Sequence, residues 1–107
     1  MTKDSISSPQ ALAGLVQTQS GAVVSRTLVK KPAGTVTVFA FDAGEGLSEH
    51  TAPFEALVVG VEGEAEISID RQPQVVHAGD FLRLPANRPH AVKALSPFKM
   101  LLVMIRE

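Results

Sequence analysis

Leu57-Val58-Val59-Gly60-Val61-Glu62-Gly63-Glu64-Ala65-Glu66-Ile67-Ser68-Ile69-Asp70 is the stretch that decides the fold. Ala65, Ile67 and Ile69 alternate with Glu64, Glu66 and Ser68, the period of two that marks a strand with one dry and one wet face. Residues 57–61 form an apolar run that reads as a second strand. Between the two, Glu62-Gly63 predicts a tight hairpin connection, with the glycine supplying a positive φ.

Outward from this stretch the same pattern repeats. Further strands are predicted over residues 23–29, 35–41, 74–77, 81–84, 90–95 and 98–106. The separators are Lys31-Pro32-Ala33-Gly34, Arg71-Gln72-Pro73, Ala78-Gly79-Asp80, Ala86-Asn87-Arg88-Pro89 and Ser96-Pro97. About eight short strands with no helical stretches between them argue for an all-β, antiparallel sandwich or barrel, and a double-sheet jelly roll fits well. Residues 1–8 are polar and aperiodic, a loose tail. Ser8-Pro9 reads as an N-cap with proline at the first helical position, and Gly14 closes a helix of one or two turns. Residues 1–21 are thus an N-terminal tail and short helix, and residues 22–107 a single barrel domain.

Composition narrows the function. A chain of 107 residues, 45% apolar and 20% charged, is one globular domain. It has no cysteine, which excludes disulfides and thiolate metal sites and fits a reducing compartment. The net charge is −1 and no basic face is visible, so a nucleic-acid partner is not expected. The first residues lack the apolar core of a signal peptide, and apolar runs of six residues do not span a bilayer. A cytoplasmic protein with no membrane partner is expected.

Two segments carry chemistry. One is Gly44-Glu45-Gly46-Leu47-Ser48-Glu49-His50-Thr51-Ala52-Pro53-Phe54-Glu55-Ala56, continuing to Gly63, and the other is Gly79-Asp80-Phe81-Leu82-Arg83-Leu84-Pro85-Ala86-Asn87-Arg88-Pro89-His90. Gly44 stands six residues before His50, Gly63 thirteen after it, and Gly79 six before Pro85. This ordered set resembles the two motifs of the cupin superfamily, most closely the small single-domain cupin type-2 barrels with an RmlC-like jelly roll, over roughly residues 35–105. The resemblance implies His50 and His90 on separate strands, both pointing into the barrel mouth, and a homodimer. Motif one of the family offers His-x-His and then Glu, and here the second His and the Glu are Ala52 and Ala56. Asn87 stands where glycine is usual, a substitution that Asn's tolerance of the left-handed conformation permits, and Ala94 stands where Asn is usual.

The surviving donors limit the chemistry. Two neutral imidazoles can hold a divalent ion such as zinc, nickel, iron or manganese, but catalytic zinc takes three protein ligands and structural zinc four. Metal is therefore expected to be weakly held or absent. Glu55 is the candidate third ligand, while strand alternation turns Glu49 away. If the motifs are in register, Ala52, Ala56, Val58 and Gly60 face inward with His50 and His90, an apolar pocket with two polar groups. That favours a small-molecule binding protein, in which a neutral histidine can also serve as a base. The other class is a metal-dependent enzyme of dioxygenase, isomerase or decarboxylase type, so catalysis stays open.

His77, in a turn, is read as solvent-facing. No nucleophile elbow and no phosphate-binding glycine loop is present. The stripe Phe98, Met100, Leu102, Met104 alternates with Lys99, Leu101, Val103 and Ile105, so both faces are apolar from Met100 onward. A second subunit, or the N-terminal segment, is expected to cover the outer one.

Overall fold

Nine strands, all paired antiparallel, build two facing sheets in the computed structural model, which describes residues 7–106. They are β1 (Val23–Lys31), β2 (Gly34–Phe41), β3 (Gly46–His50), β4 (Glu55–Glu62), β5 (Glu64–Ile69), β6 (Gln72–His77), β7 (Phe81–Leu84), β8 (His90–Ala94) and β9 (Phe98–Ile105). One sheet has the order β1-β2-β9-β4-β7 and the other β3-β8-β5-β6. From β2 onward nearly every connection changes sheets, which is the jelly roll.

β5 follows its predicted alternation, with Ala65 and Ile67 fully buried. Its partner differs from expectation. β4 pairs with β7 and β9, and β5 pairs with β6 and β8, so Glu62-Gly63 carries the chain from one sheet to the other and is no hairpin. Gly63 has the expected positive φ of 74°, and a Cβ there would meet the Pro97 carbonyl oxygen at 2.0 Å. The hairpin lies one strand later, where Asp70 and Arg71 join β5 to β6 with φ of 52° and 64°, the signature of a type I′ turn. Pro73 is accepted inside β6 because β6 is an edge strand.

β3 is the strand that residue patterning alone does not show, although the resemblance placed His50 on one. Only Leu47 is partly buried along it, and its pairing with β8 shifts register between Leu47 and His50. At the N-terminus the predicted helix is a single 3-10 turn, Leu12–Gly14, preceded by Ala11; Ser8-Pro9 does not open it. So short a segment recovers too little to repay helix nucleation. Leu12, Leu15 and Val16 pack instead on Val38, Ala40 and Leu101, the outer face of the five-stranded sheet. Lys99, only 6% exposed, anchors the segment by donating from Nζ to the Ala13 carbonyl at 2.8 Å, and it pairs with Glu62 at 3.2 Å.

Between the sheets lie Phe41, Val58, Ile67, Val92, Phe98 and Met100. Phe41 stacks on Phe39 at 5.8 Å and meets Phe98 at 5.9 Å. Among the described residues no helix is long and apolar enough to cross a membrane.

Candidate functional site

His50 and His90 are cross-strand neighbours, paired in register on β3 and β8. That position brings side chains close, and the rings meet edge to face with centroids 4.3 Å apart and the two Nε2 atoms 3.1 Å apart. His50 Nδ1 lies 2.8 Å from the Ser48 carbonyl oxygen and His90 Nδ1 lies 3.3 Å from that of Arg88. A carbonyl oxygen only accepts, so both Nδ1 atoms donate and the two Nε2 lone pairs converge. A shared proton, a ligand hydrogen or a cation satisfies both. His90 titrates below the ordinary histidine value, first because it is partly buried and second because His50 is adjacent; its bond to the Arg88 carbonyl opposes the shift. The shift favours the uncharged imidazole.

Three contacts set this pair in place. Asn87 adopts φ of 64°, as its place in the motif predicts, and its N–H donates to the Ala52 carbonyl at 2.8 Å. Arg88 pairs with Asp70 of the β5–β6 turn, which steadies the loop that delivers His90. Glu55 accepts from Arg83 Nε at 2.8 Å and from the Ala86 N–H at 3.1 Å, tying the two motif segments together. The Ala86 amide, and then Arg83, hold the Glu55 carboxyl below the usual range.

Glu55 is therefore no third ligand beside the histidines. It precedes Ala56 on β4, and alternation sends the two side chains to opposite faces. Among the described residues no group of three His, Asp or Glu side chains is placed to hold a metal ion. What the site offers is two convergent imidazole nitrogens and no carboxylate. That set fits a weakly held divalent ion and not a three- or four-ligand centre.

The histidines sit on the wall of a cavity of about 60 Å³, enough for a few waters or a small organic group. Ala52 and Ala56 line it, with Phe54, Leu84, Met100 and Met104 among the rest. Val58 and Gly60 also fall on the inner face of β4 but lie away from this cavity: Val58 is fully buried in the core, and Gly60 packs against the backbone of His77. Sequence reasoning missed Phe54 as a wall residue, and it noted Met100, Leu102 and Met104 only as a stripe. Their period of two was the available signal, since it places them on one face of β9. His77 is exposed as expected, although it is not isolated, with Nε2 3.0 Å from Glu64 and Nδ1 3.3 Å from Asp80.

A family model described as a cupin domain matches residues 37–105. Among solved structures, a conserved protein of unknown function from Streptococcus pyogenes is 35% identical, with a TM-score of 0.90 over 94% of this chain and 89% of that one. A cupin superfamily protein from Desulfitobacterium hafniense is 30% identical at a TM-score of 0.90, covering 94% and 92%. A cupin 2 conserved barrel domain protein from Leptotrichia buccalis is 43% identical at 0.82, covering 85% of this chain and 44% of its own. Among curated proteins, none matches the chain.

Proposed function

We propose, from the premise that this chain belongs to the cupin family, that it binds a small organic molecule at the barrel mouth, with His50 and His90 as the polar contacts. The observation that carries this reading is the meeting of two imidazole Nε2 atoms at 3.1 Å on the wall of an otherwise apolar cavity. Apolar walls with a few convergent polar groups are the usual anatomy of a ligand site. Titration with small amides, acids and alcohols, followed by NMR, tests it. Binders are expected to shift the signals of His50, His90, Ala52 and Ala56 together. Binders that all map to another face overturn the reading.

A divalent metal such as zinc, nickel, iron or manganese would be held by His50 and His90, and when bound it would supply Lewis acidity there. With two protein ligands neither is dispensable. Calorimetric titration is expected to show weak uptake in the native chain and none in His50→Ala or His90→Ala, both still folded. Stoichiometric uptake that survives either change would place the metal elsewhere.

The homodimer reading has support from the outer face of the five-stranded sheet. The N-terminal segment packs on its β1–β2–β9 portion and also meets β4. On the same face Val36, Val103 and Leu57 lie side by side across β2, β9 and β4, and Val59 and Phe81 across β4 and β7 continue the row from Leu101, which the N-terminal segment meets. Phe81 is 71% exposed and Ile105 51%. An apolar surface of that continuity is normally covered, and a second copy offers a matching face. Sedimentation at micromolar concentration is expected to give twice 11.3 kDa, and Val59→Glu to return the monomer. A native chain that sediments as a monomer refutes the dimer.

A further inference from the structure

We infer that the ligand of this cavity carries a carboxylate, and that Arg106 is the residue that recognises it; the inference rests on the reading of the cavity as a ligand site. β9 supplies Met100, Leu102 and Met104 to the cavity wall at every second position, and Arg106 follows the end of the strand two residues after Met104, without itself lining the cavity. The Arg106 N–H donates to the Ala33 carbonyl at 2.7 Å, which fixes the backbone where the stripe reaches the barrel end. The guanidinium lies over the ring of Phe54, 4.9 Å from its centroid, and Phe54 is itself a wall of the cavity. A cation is thus held against a wall residue of the cavity by stacking.

The charge pattern around it is selective. Arg71, Arg83 and Arg88 each pair with a carboxylate, from Glu49, Glu55 and Asp70, and Arg26 donates to the Leu15 carbonyl. Among the described residues the Arg106 guanidinium alone of those of the arginines meets no oxygen acceptor, and its Nε is buried without a partner. Glu55, the nearest acid in the chain to Phe54, is already taken by Arg83 and the Ala86 N–H. The end nitrogens of an unpaired guanidinium offer a planar carboxylate two parallel N–H donors. The cavity beside it is small and apolar. The ligand class that satisfies both is a short aliphatic carboxylate, with its carbon chain against Ala52, Ala56 and Met104 and its anionic end at Arg106.

Isobutyrate and isobutyramide provide the test, since they share shape and differ in charge. Both are titrated into the full chain while the His50 and His90 ring signals are followed. Isobutyrate is expected to bind about tenfold more tightly than the amide, and to lose that advantage in Arg106→Gln while the amide is unaffected. Arg106→Lys is expected to retain part of it, as a point charge in place of a fork. Raising salt in the native chain is expected to weaken isobutyrate and leave isobutyramide unchanged, a readout that needs no variant. Equal binding of acid and amide, or acid binding indifferent to Arg106→Gln, overturns the role of Arg106 while the cavity reading stands on the amide's effect. If neither compound shifts the two histidines, the cavity reading falls and this inference with it.

Discussion

The double variant Ala52→His/Ala56→Glu is expected to bind zinc or nickel orders of magnitude more tightly than the native chain. Both alanines line the cavity that holds His50 and His90, so the new donors arise beside existing ones. Their backbones are already set: Ala52 by the Asn87 N–H on its carbonyl, and Ala56 within β4 between β7 and β9. Going from two protein ligands to four changes a weak chelate into a closed site, and each ligand adds several kcal/mol before desolvation is subtracted. Without metal the variant is expected to be less stable than the native chain, because Ala56 is 8% exposed and a carboxylate there loses water. Saturating zinc is expected to restore that loss and raise Tm, by about 4 kcal/mol of stabilisation at a thousandfold excess over Kd. Calorimetry and thermal melts with and without zinc give both quantities. A variant that folds and still takes up metal no better than the native chain would show that side chains at positions 52 and 56 cannot reach the histidines.

Phe98→Ala is expected to cost about 3–5 kcal/mol, most of the margin of a domain this size. Phe98 is fully buried, contacts Phe41 at 5.9 Å, and starts the central strand of the five-stranded sheet. Removing the ring opens a void between two sheets whose hydrogen bonds resist collapse. The midpoint of urea unfolding reports the loss, with Val75→Ala as the control. Val75 is 48% exposed on edge strand β6 and is expected to change stability by less than about 0.5 kcal/mol. A Phe98→Ala midpoint within error of the Val75→Ala value would contradict the packing described above.

Much of this molecule is legible in the chain because the relevant physics is local. Alternation along residues 64–69 states that β5 has one dry face, whatever it pairs with. Gly63 and Asn87 announce their positive φ by residue type, and both adopt it. The motif spacing identifies the barrel and selects His50 and His90 from three histidines. The doubly apolar run of residues 100–105 states that β9 has two faces to cover.

What covers it, and which strand pairs with which, no local pattern contains. Glu62-Gly63 has the composition of a hairpin turn, yet it bridges two sheets, because β4 finds better partners in β7 and β9 than in its neighbour in sequence. β3 is invisible in patterning because an edge strand with four exposed residues out of five carries no alternation to detect; its pairing with β8 is what holds it. The direction of Glu55 followed from where β4 begins, and that start was fixed by tertiary pairing with Ile105. The approach of His50 Nε2 to His90 Nε2 joins atoms forty residues apart. The seat of Arg106 on Phe54 joins residues more distant still. Residue type and spacing thus determined which groups this protein has and which faces they occupy. Only the closing of two sheets over one core decided which of those groups meet, since pairing across strands is a competition among all of them at once.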